Sequence, residues 1–334
     1  MRTKREDFGQ AWSHGTIPTK YKGRHGAMAP PLHFAFLIML PSFVFAGGPG
    51  TTSFNFFKIG EGARPVAMGS AFTAVADDGN LLFWNPAGLS QLENKIGSTT
   101  YRNYVAGIHS GYISYLSPKG EKSAIGGSIH FLYGGKMAKT DMVGNNLGDF
   151  TYSVLVPTLG YGKKIKEEIS IGAALKGVYQ NVDEFTNFGV ALDVGSLYKT
   201  KKEGLTIGAV VQNLGMEIQP LDSLSNSLPI TGKIGGVYRP PQNEKVTLAL
   251  DLYKPIDNDF AVSFGGEAWL SSRLAFRGGF TSTLLDLKTG SGLDFLAGLS
   301  AGVGLLVRNI HFDYSITPMI DLGLAHRISL SREL

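Results

Sequence analysis

Asp77-Asp78 are two adjacent carboxylates, the kind of pair that can move protons or hold a metal ion. They precede Gly79-Asn80, and carboxylates in such a turn usually accept hydrogen bonds from the turn's own backbone. His311 and Asp313 lie two apart on an alternating segment and so share one face, as a metal or acid–base pair would. No third ligand stands beside them, which leaves hydrogen bonding in an interior as the simpler role. Arg64 can hold an anionic head group, or can pair with Asp77 or Asp78 in the two-bond geometry that guanidinium favours. Phe83-Trp84 offers two aromatic faces to a greasy ligand or to internal packing. The chain has no cysteine, so thiolate catalysis, disulfides and Cys-bound zinc are excluded. It carries no P-loop, dinucleotide fingerprint, nucleophile elbow or HExxH motif. No catalytic residue, metal or cofactor is assigned, and the chain reads as a non-enzyme.

The elements around these residues are more telling. Leu32 to Ala46 (LHFAFLIMLPSFVFA) is apolar, free of charge and short of the roughly 20 residues a spanning helix needs. Residues 1–46 therefore read as a secretory signal peptide cleaved after Ala46, with Met1 or Met28 as the start. Removing that leader takes away six basic and two acidic residues and leaves 25 of each. The chain's apparent basicity thus belongs to the leader, and a nucleic-acid partner loses its electrostatic footing.

From Lys95 onward, apolar residues recur every second position. Ile169, Ile171 and Leu175 alternate with Ser170, Gly172 and Lys176, and Val246, Leu248 and Leu250 alternate with Thr247, Ala249 and Asp251. Fourteen such segments can be drawn: 95–103, 105–117, 121–135, 150–163, 167–182, 186–199, 203–213, 228–240, 243–254, 260–270, 272–281, 294–304, 307–316 and 321–331. The even-to-odd connections are all short, whereas long ones (136–149, 214–227, 282–293) fall only on the odd-to-even side. That segregation matches transmembrane barrels, with their short periplasmic turns and longer outer loops. The charged positions Lys176, Lys233, Asp251, Glu267, Arg277, Asp313 and Arg327 then face the lumen. A soluble β-sandwich would show the same alternation with those residues in water.

Residues 60–89 break the period of two. Ala63 to Ala76 suits a short helix after Pro65, and Asp77 to Asn80 and Asn85-Pro86-Ala87-Gly88 suit turns. Ahead of a barrel too wide to be filled by side chains, this segment reads as a plug. The division is leader 1–46, plug or hatch 47–94 and barrel 95–334. The fold class is all-β: a transmembrane antiparallel barrel of about fourteen strands with a small, partly helical N-terminal plug, monomeric and embedded in outer-membrane lipid.

The run Gly62-Ala63-Arg64, Met68-Gly69, Ala71 to Asp78 and Asn85-Pro86-Ala87-Gly88-Leu89 resembles the PorV/PorQ-type branch of the FadL-like outer-membrane proteins. Gln212-Asn213-Leu214-Gly215 and Gly235-Gly236-Val237-Tyr238 extend the likeness over the mature chain. The resemblance implies a hatch inside a fourteen-stranded barrel and two activities. PorV-like members receive exported cargo proteins in type IX secretion; FadL-like members pass fatty acids or other hydrophobic small molecules. The motif leans toward secretion. The glycine pairs Gly126-Gly127 and Gly134-Gly135, candidate kinks in the third strand, suit a side portal for greasy molecules.

Overall fold

Period-two segments can satisfy their backbone only by pairing sideways, and here the pairing runs all the way round. A computed structural model of the protein describes residues 48–220 and 225–334. The expected leader, 1–46, lies outside the described residues. The strands are β1 (Ile96–Asn103), β2 (His109–Pro118), β3 (Ser123–Thr140), β4 (Asn146–Lys164), β5 (Ile169–Val182), β6 (Phe185–Lys199) and β7 (Leu205–Gln219), followed by β8 (Thr231–Tyr238), β9 (Val246–Pro255), β10 (Ala261–Trp269), β11 (Leu274–Thr281), β12 (Leu299–Val307), β13 (Ile310–Pro318) and β14 (Leu324–Glu333). Each pairs antiparallel with its neighbours in sequence, and β1 closes on β14 from Ile96↔Glu333 to Asn103↔His326. Closure removes both sheet edges and rules out the two-sheet sandwich.

Fourteen strands were expected and fourteen form, in the same order. Two expectations need correction. Most of the long loop 136–149 is strand, because β3 and β4 continue as a projecting hairpin whose tip is only Asp141–Asn145. The helix expected over 63–76 is a single turn, α1 (Ala63–Ala67). Gly69 and Ser70 both adopt φ of +66°, a left-handed conformation that ends it. A second one-turn helix, α2 (Leu81–Trp84), runs into a 3₁₀ segment, Pro86–Gln91.

The barrel is apolar outside and polar inside. Ile113, Ile129, Leu159, Leu175, Leu250 and Phe276 are exposed on the outer wall, while Ser114, Ser128, Thr158, Lys176, Asp251 and Arg277 are buried within. Tyr115, Tyr161 and Tyr198 face outward near the short-turn end, and Tyr101, Tyr133 and Tyr314 near the long-loop end. Two aromatic girdles flanking an apolar band are what a bilayer-spanning barrel needs. Among the described residues no helix is long and apolar enough to cross a membrane. Leu250, mid-strand on β9 and facing out, is a direct probe. Leu250→Arg is expected to cost about 2–4 kcal/mol of stability in vesicles, measured by denaturant titration, and far less in detergent.

Candidate functional site

Residues 48–94 contain no strand, and side chains from them meet the inner wall around its whole circumference. The segment begins at the long-loop rim, where the Thr52 hydroxyl donates to Asp257 at 2.8 Å and Ser53 N donates to the Ser227 carbonyl at 3.0 Å. Phe54, Phe56 and Phe57 then turn into the lumen and pack with Leu132, Val154, Val156, Val178 and Leu228. The segment leaves at the opposite end, where Gln91 donates to the Ser170 hydroxyl at 2.7 Å.

Between those ends the family-like motif residues seat the hatch on the wall. Ala63 N donates to Ser329 at 2.8 Å and Gly69 N to Ser300 at 3.2 Å. Asn85 caps the 3₁₀ segment by accepting from Ala87 N at 3.1 Å, and donates to the Thr73 carbonyl at 2.8 Å. Pro86 opens that segment, where its missing N–H is no loss. Met68 and Gly69 lie directly on Gly279 of β11, where a Cβ would fall 2.0 Å from Gly69 N. Gly62 (φ +86°) and Gly88 are packed closely too, against Asn80 and Leu81. Gln212 of β7 donates to the Phe83 carbonyl at 2.6 Å and so holds the end of α2.

Three charge clusters fasten this contact. Arg64 donates to both oxygens of Glu267, at 2.8 and 2.9 Å, and to Asp77 at 2.8 Å; Asp78 stands 3.6 Å away. Glu267 also accepts from Arg277, which reaches Asp313, and Asp77 accepts from Arg239. Asp251 of β9 accepts three hydrogen bonds from the hatch, from Phe72 N, Thr73 N and the Thr73 hydroxyl, at 2.9, 2.9 and 2.7 Å. The third cluster is Lys176 of β5, 2.6 Å from Asp193 and 2.9 Å from Asn213 Oδ1, with its ammonium over the Phe57 ring.

Glu61 is fully buried, 3.1 Å from Arg102 and 3.1 Å from His130. Burial pushes its carboxyl up, but Arg102, His130 and Arg327 overcome this and hold it at about 2. Burial likewise raises Asp77, and Arg64 and Arg239 outweigh it, leaving that carboxyl below its ordinary range. Asp78 is raised, because burial prevails over Arg64 and the Asn80 hydrogen bonds. A depressed carboxyl contributes stability above its unfolded value and loses it as pH falls through the folded one. Glu61 therefore stabilises the seated hatch above pH 4.5 and stops doing so as pH approaches 2. Asp78 acts with the opposite sign. The indole of Trp84 donates to the Glu61 carbonyl at 2.9 Å and is a built-in reporter. Its emission is expected to hold steady near neutrality and shift to the red across that acid window, and Glu61→Gln is expected to remove most of the shift.

A small cavity lies between hatch and wall, lined by Phe57, Leu82, Phe83 and Val156 with Tyr112, Ser128, His130, Thr158 and Lys176. The wall has a gap in its hydrogen-bond ladder beside it. Pairing of β4 with β5 stops after Leu155↔Tyr179 and resumes at Thr158↔Lys176 in unchanged register. Pro157, in the gap, has no N–H to donate. Toward the long-loop end, β3 shifts register between Tyr133 and Lys136, so that Gly134 and Gly135 form a bulge with Gly135 at φ +70°. Gly126 and Gly127 carry no such irregularity, since both ladders run straight through them. Gly126 instead makes room for Leu82 and Leu89.

Of the aromatic pair, Phe83 lines the cavity, whereas Trp84 is buried against Phe72 and Phe83. His311 and Asp313 do not act together: His311 meets Trp269 edge-on, and Asp313 is occupied by Arg277. Among the described residues no group of His, Asp and Glu has a metal-binding arrangement. Glu61, Arg102, His130 and Asp193 were not singled out in the sequence, and Asn213 entered only through the Gln212-Asn213-Leu214-Gly215 likeness. Asn213 carried a signal, since an Asn inside an alternating run suits a bulge; it has φ of +61° and donates its N–H to Asp193 at 2.7 Å.

The same barrel fold occurs in solved structures. The monoaromatic hydrocarbon channel CymD superposes with a TM-score of 0.59 at 13% identity, over 83% of this chain and 98% of that one. The Ralstonia pickettii toluene transporter TbuX gives 0.59 at 14%, over 82% and 98%. A Pseudomonas aeruginosa FadL homologue gives 0.53 at 10%, over 79% and 96%. This is the FadL-type barrel fold. At these identities the likeness establishes the FadL-type architecture alone. No protein-family model and no curated protein sequence matches the chain.

Proposed function

We propose that this protein is an outer-membrane FadL-type channel that passes small hydrophobic molecules. The cavity carries the reading: though only about water-sized as it stands and needing to widen for a hydrocarbon, it has an apolar wall of Phe57, Leu82, Phe83 and Val156, and it abuts the gap inside the β4–β5 ladder. A greasy molecule entering at the long-loop mouth meets the phenylalanine cluster first and the cavity second. It then leaves sideways past Pro157, where few hydrogen bonds oppose parting of the strands. The structural neighbours CymD, a monoaromatic hydrocarbon channel, and TbuX, a toluene transporter, favour this class of substrate. In the same proposal residues 1–46 are a cleaved leader, 47–94 the hatch and 95–334 the barrel, which needs no second chain to satisfy its strand edges.

The secretory role implied by the motif has less support: its residues Gly69, Asn85 and Pro86 are occupied in seating the hatch, and the neighbours above are a hydrocarbon channel, a toluene transporter and a FadL homologue. The test uses Trp269→Phe protein, in which Trp84 is the sole tryptophan of the mature chain. Toluene is expected to change its emission saturably, glucose to leave it unchanged, and Thr158→Phe, which fills the cavity, to abolish the response. A response that does not saturate, or that survives Thr158→Phe, contradicts the proposal.

A further inference from the structure

The two ends of the barrel carry opposite charge. In the six short turns with their flanking residues (119–122, 163–168, 199–204, 239–245, 270–273 and 308–309) there are twelve basic and five acidic residues. Every one of these turns contributes at least one Lys or Arg. In the long-loop connections counted with the same flanks, among the described residues, there are eight acidic residues and four basic ones, Arg102, Lys139, Lys254 and Lys288. The mature chain has no net charge, so this is separation of charge and not a general excess.

The basic residues also lie beyond the outward tyrosines. Lys119 follows the outward Tyr115 by four positions, Lys163 follows Tyr161 by two, and Lys199 follows Tyr198 directly. Interfacial tyrosines mark the boundary between hydrocarbon and head groups, so these ammonium groups stand at head-group level. Lys119, Lys122, Lys166, Lys199 and Lys201 are exposed, and none of them is in an ion pair among the described residues. Arg239, which pairs with Asp77, and Lys164, 4.0 Å from Glu167, are the exceptions on this rim.

We propose that the short-turn rim binds the head groups of anionic phospholipids in the leaflet it meets. This rests on the reading of the chain as a membrane-spanning barrel. A ring present in every turn, just beyond a tyrosine girdle, fits a partner that surrounds the barrel; an acidic protein would need a patch on one side or on the end face. Exposed lysines at a membrane surface attract anionic lipid over about one Debye length, and the attraction is screened by salt.

The test is electron spin resonance of the protein inserted in phosphatidylcholine vesicles, with spin-labelled phosphatidylglycerol or spin-labelled phosphatidylcholine as probe. The motionally restricted fraction is expected to favour phosphatidylglycerol by about fivefold at low salt and to even out in high salt. Replacing Lys119, Lys122, Lys163, Lys166, Lys199 and Lys201 by Gln is expected to abolish the preference. Replacing Lys136, Lys254 and Lys288, at the other end, is expected to leave it intact. A smaller variant, Lys199→Gln with Lys201→Gln, is expected to lose part of it and guards against misfolding of the larger one. Equal association of the two lipids at low salt overturns the proposal, as does equal loss in both sets of variants. Saturable binding of polyglutamate without any lipid preference also overturns it and gives the rim to an acidic protein. If the chain fails to insert as a heat-modifiable barrel, the membrane reading itself falls.

Discussion

Asp251→Ala is expected to loosen the hatch by about 3 kcal/mol, since each buried donor left without an acceptor costs about 1–3 kcal/mol. Three donors of the hatch converge on that one carboxylate, and no other acceptor is within reach of them. The site is built for it: Gly235 stands directly across from Asp251 in β8, and a Cβ there would fall 1.9 Å from its Oδ1. A loss of this size raises the unseated fraction by about two orders of magnitude. In planar bilayers the variant is expected to conduct more, and with more noise, than the parent. Arg64→Ala is expected to do less. Glu267 retains Arg277 and Asp77 retains Arg239, so neither carboxylate is left alone. Conductance of Arg64→Ala above that of Asp251→Ala would show that the salt-bridge hub, and not the carboxylate cradle, holds the hatch.

Lys176→Met is expected to destabilise the folded barrel by about 3–5 kcal/mol, the usual effect of removing one partner of a buried ion pair. Asp193 is fully buried and has only Asn213 N as a further donor. The double change Lys176→Met with Asp193→Leu is expected to recover most of the loss, because it leaves no charge behind. Denaturant titration in one vesicle composition measures both. A double variant as unstable as the single one would mean that the ammonium on the Phe57 ring, and not the pairing with Asp193, is what matters.

The pattern of the sequence carried the wall of this molecule but not its fastenings. Alternation distinguishes inward Lys176, Asp251 and Glu267 from outward Leu175, Leu250 and Ala268, because a strand has only two faces. It does not tell which inward residue meets which hatch atom. Thr73 and Asp251, or Ala63 and Ser329, are far apart in the chain and come together only once the barrel has closed at a particular register. Glu61 sits in a glycine-rich turn next to residues that read as turn-makers, so its burial among Arg102 and His130 left no local trace. The hairpin of β3 and β4 extends past the expected ends at residues 135 and 150; between them both of its faces meet solvent above the rim, so polar and apolar residues no longer alternate. Pro157 lies inside an expected strand, 150–163, and only the structure shows that the β4–β5 ladder breaks there, beside a cavity.

Passage of hydrophobic molecules is tested most directly by uptake of radiolabelled toluene into cells that lack hydrocarbon channels of their own. Cells expressing the chain are expected to take it up faster than cells with an empty vector, and cells expressing Thr158→Phe at equal surface level are expected to fall back to the empty-vector rate. Uptake no faster than the empty vector, or uptake unchanged by filling the cavity, would contradict the account.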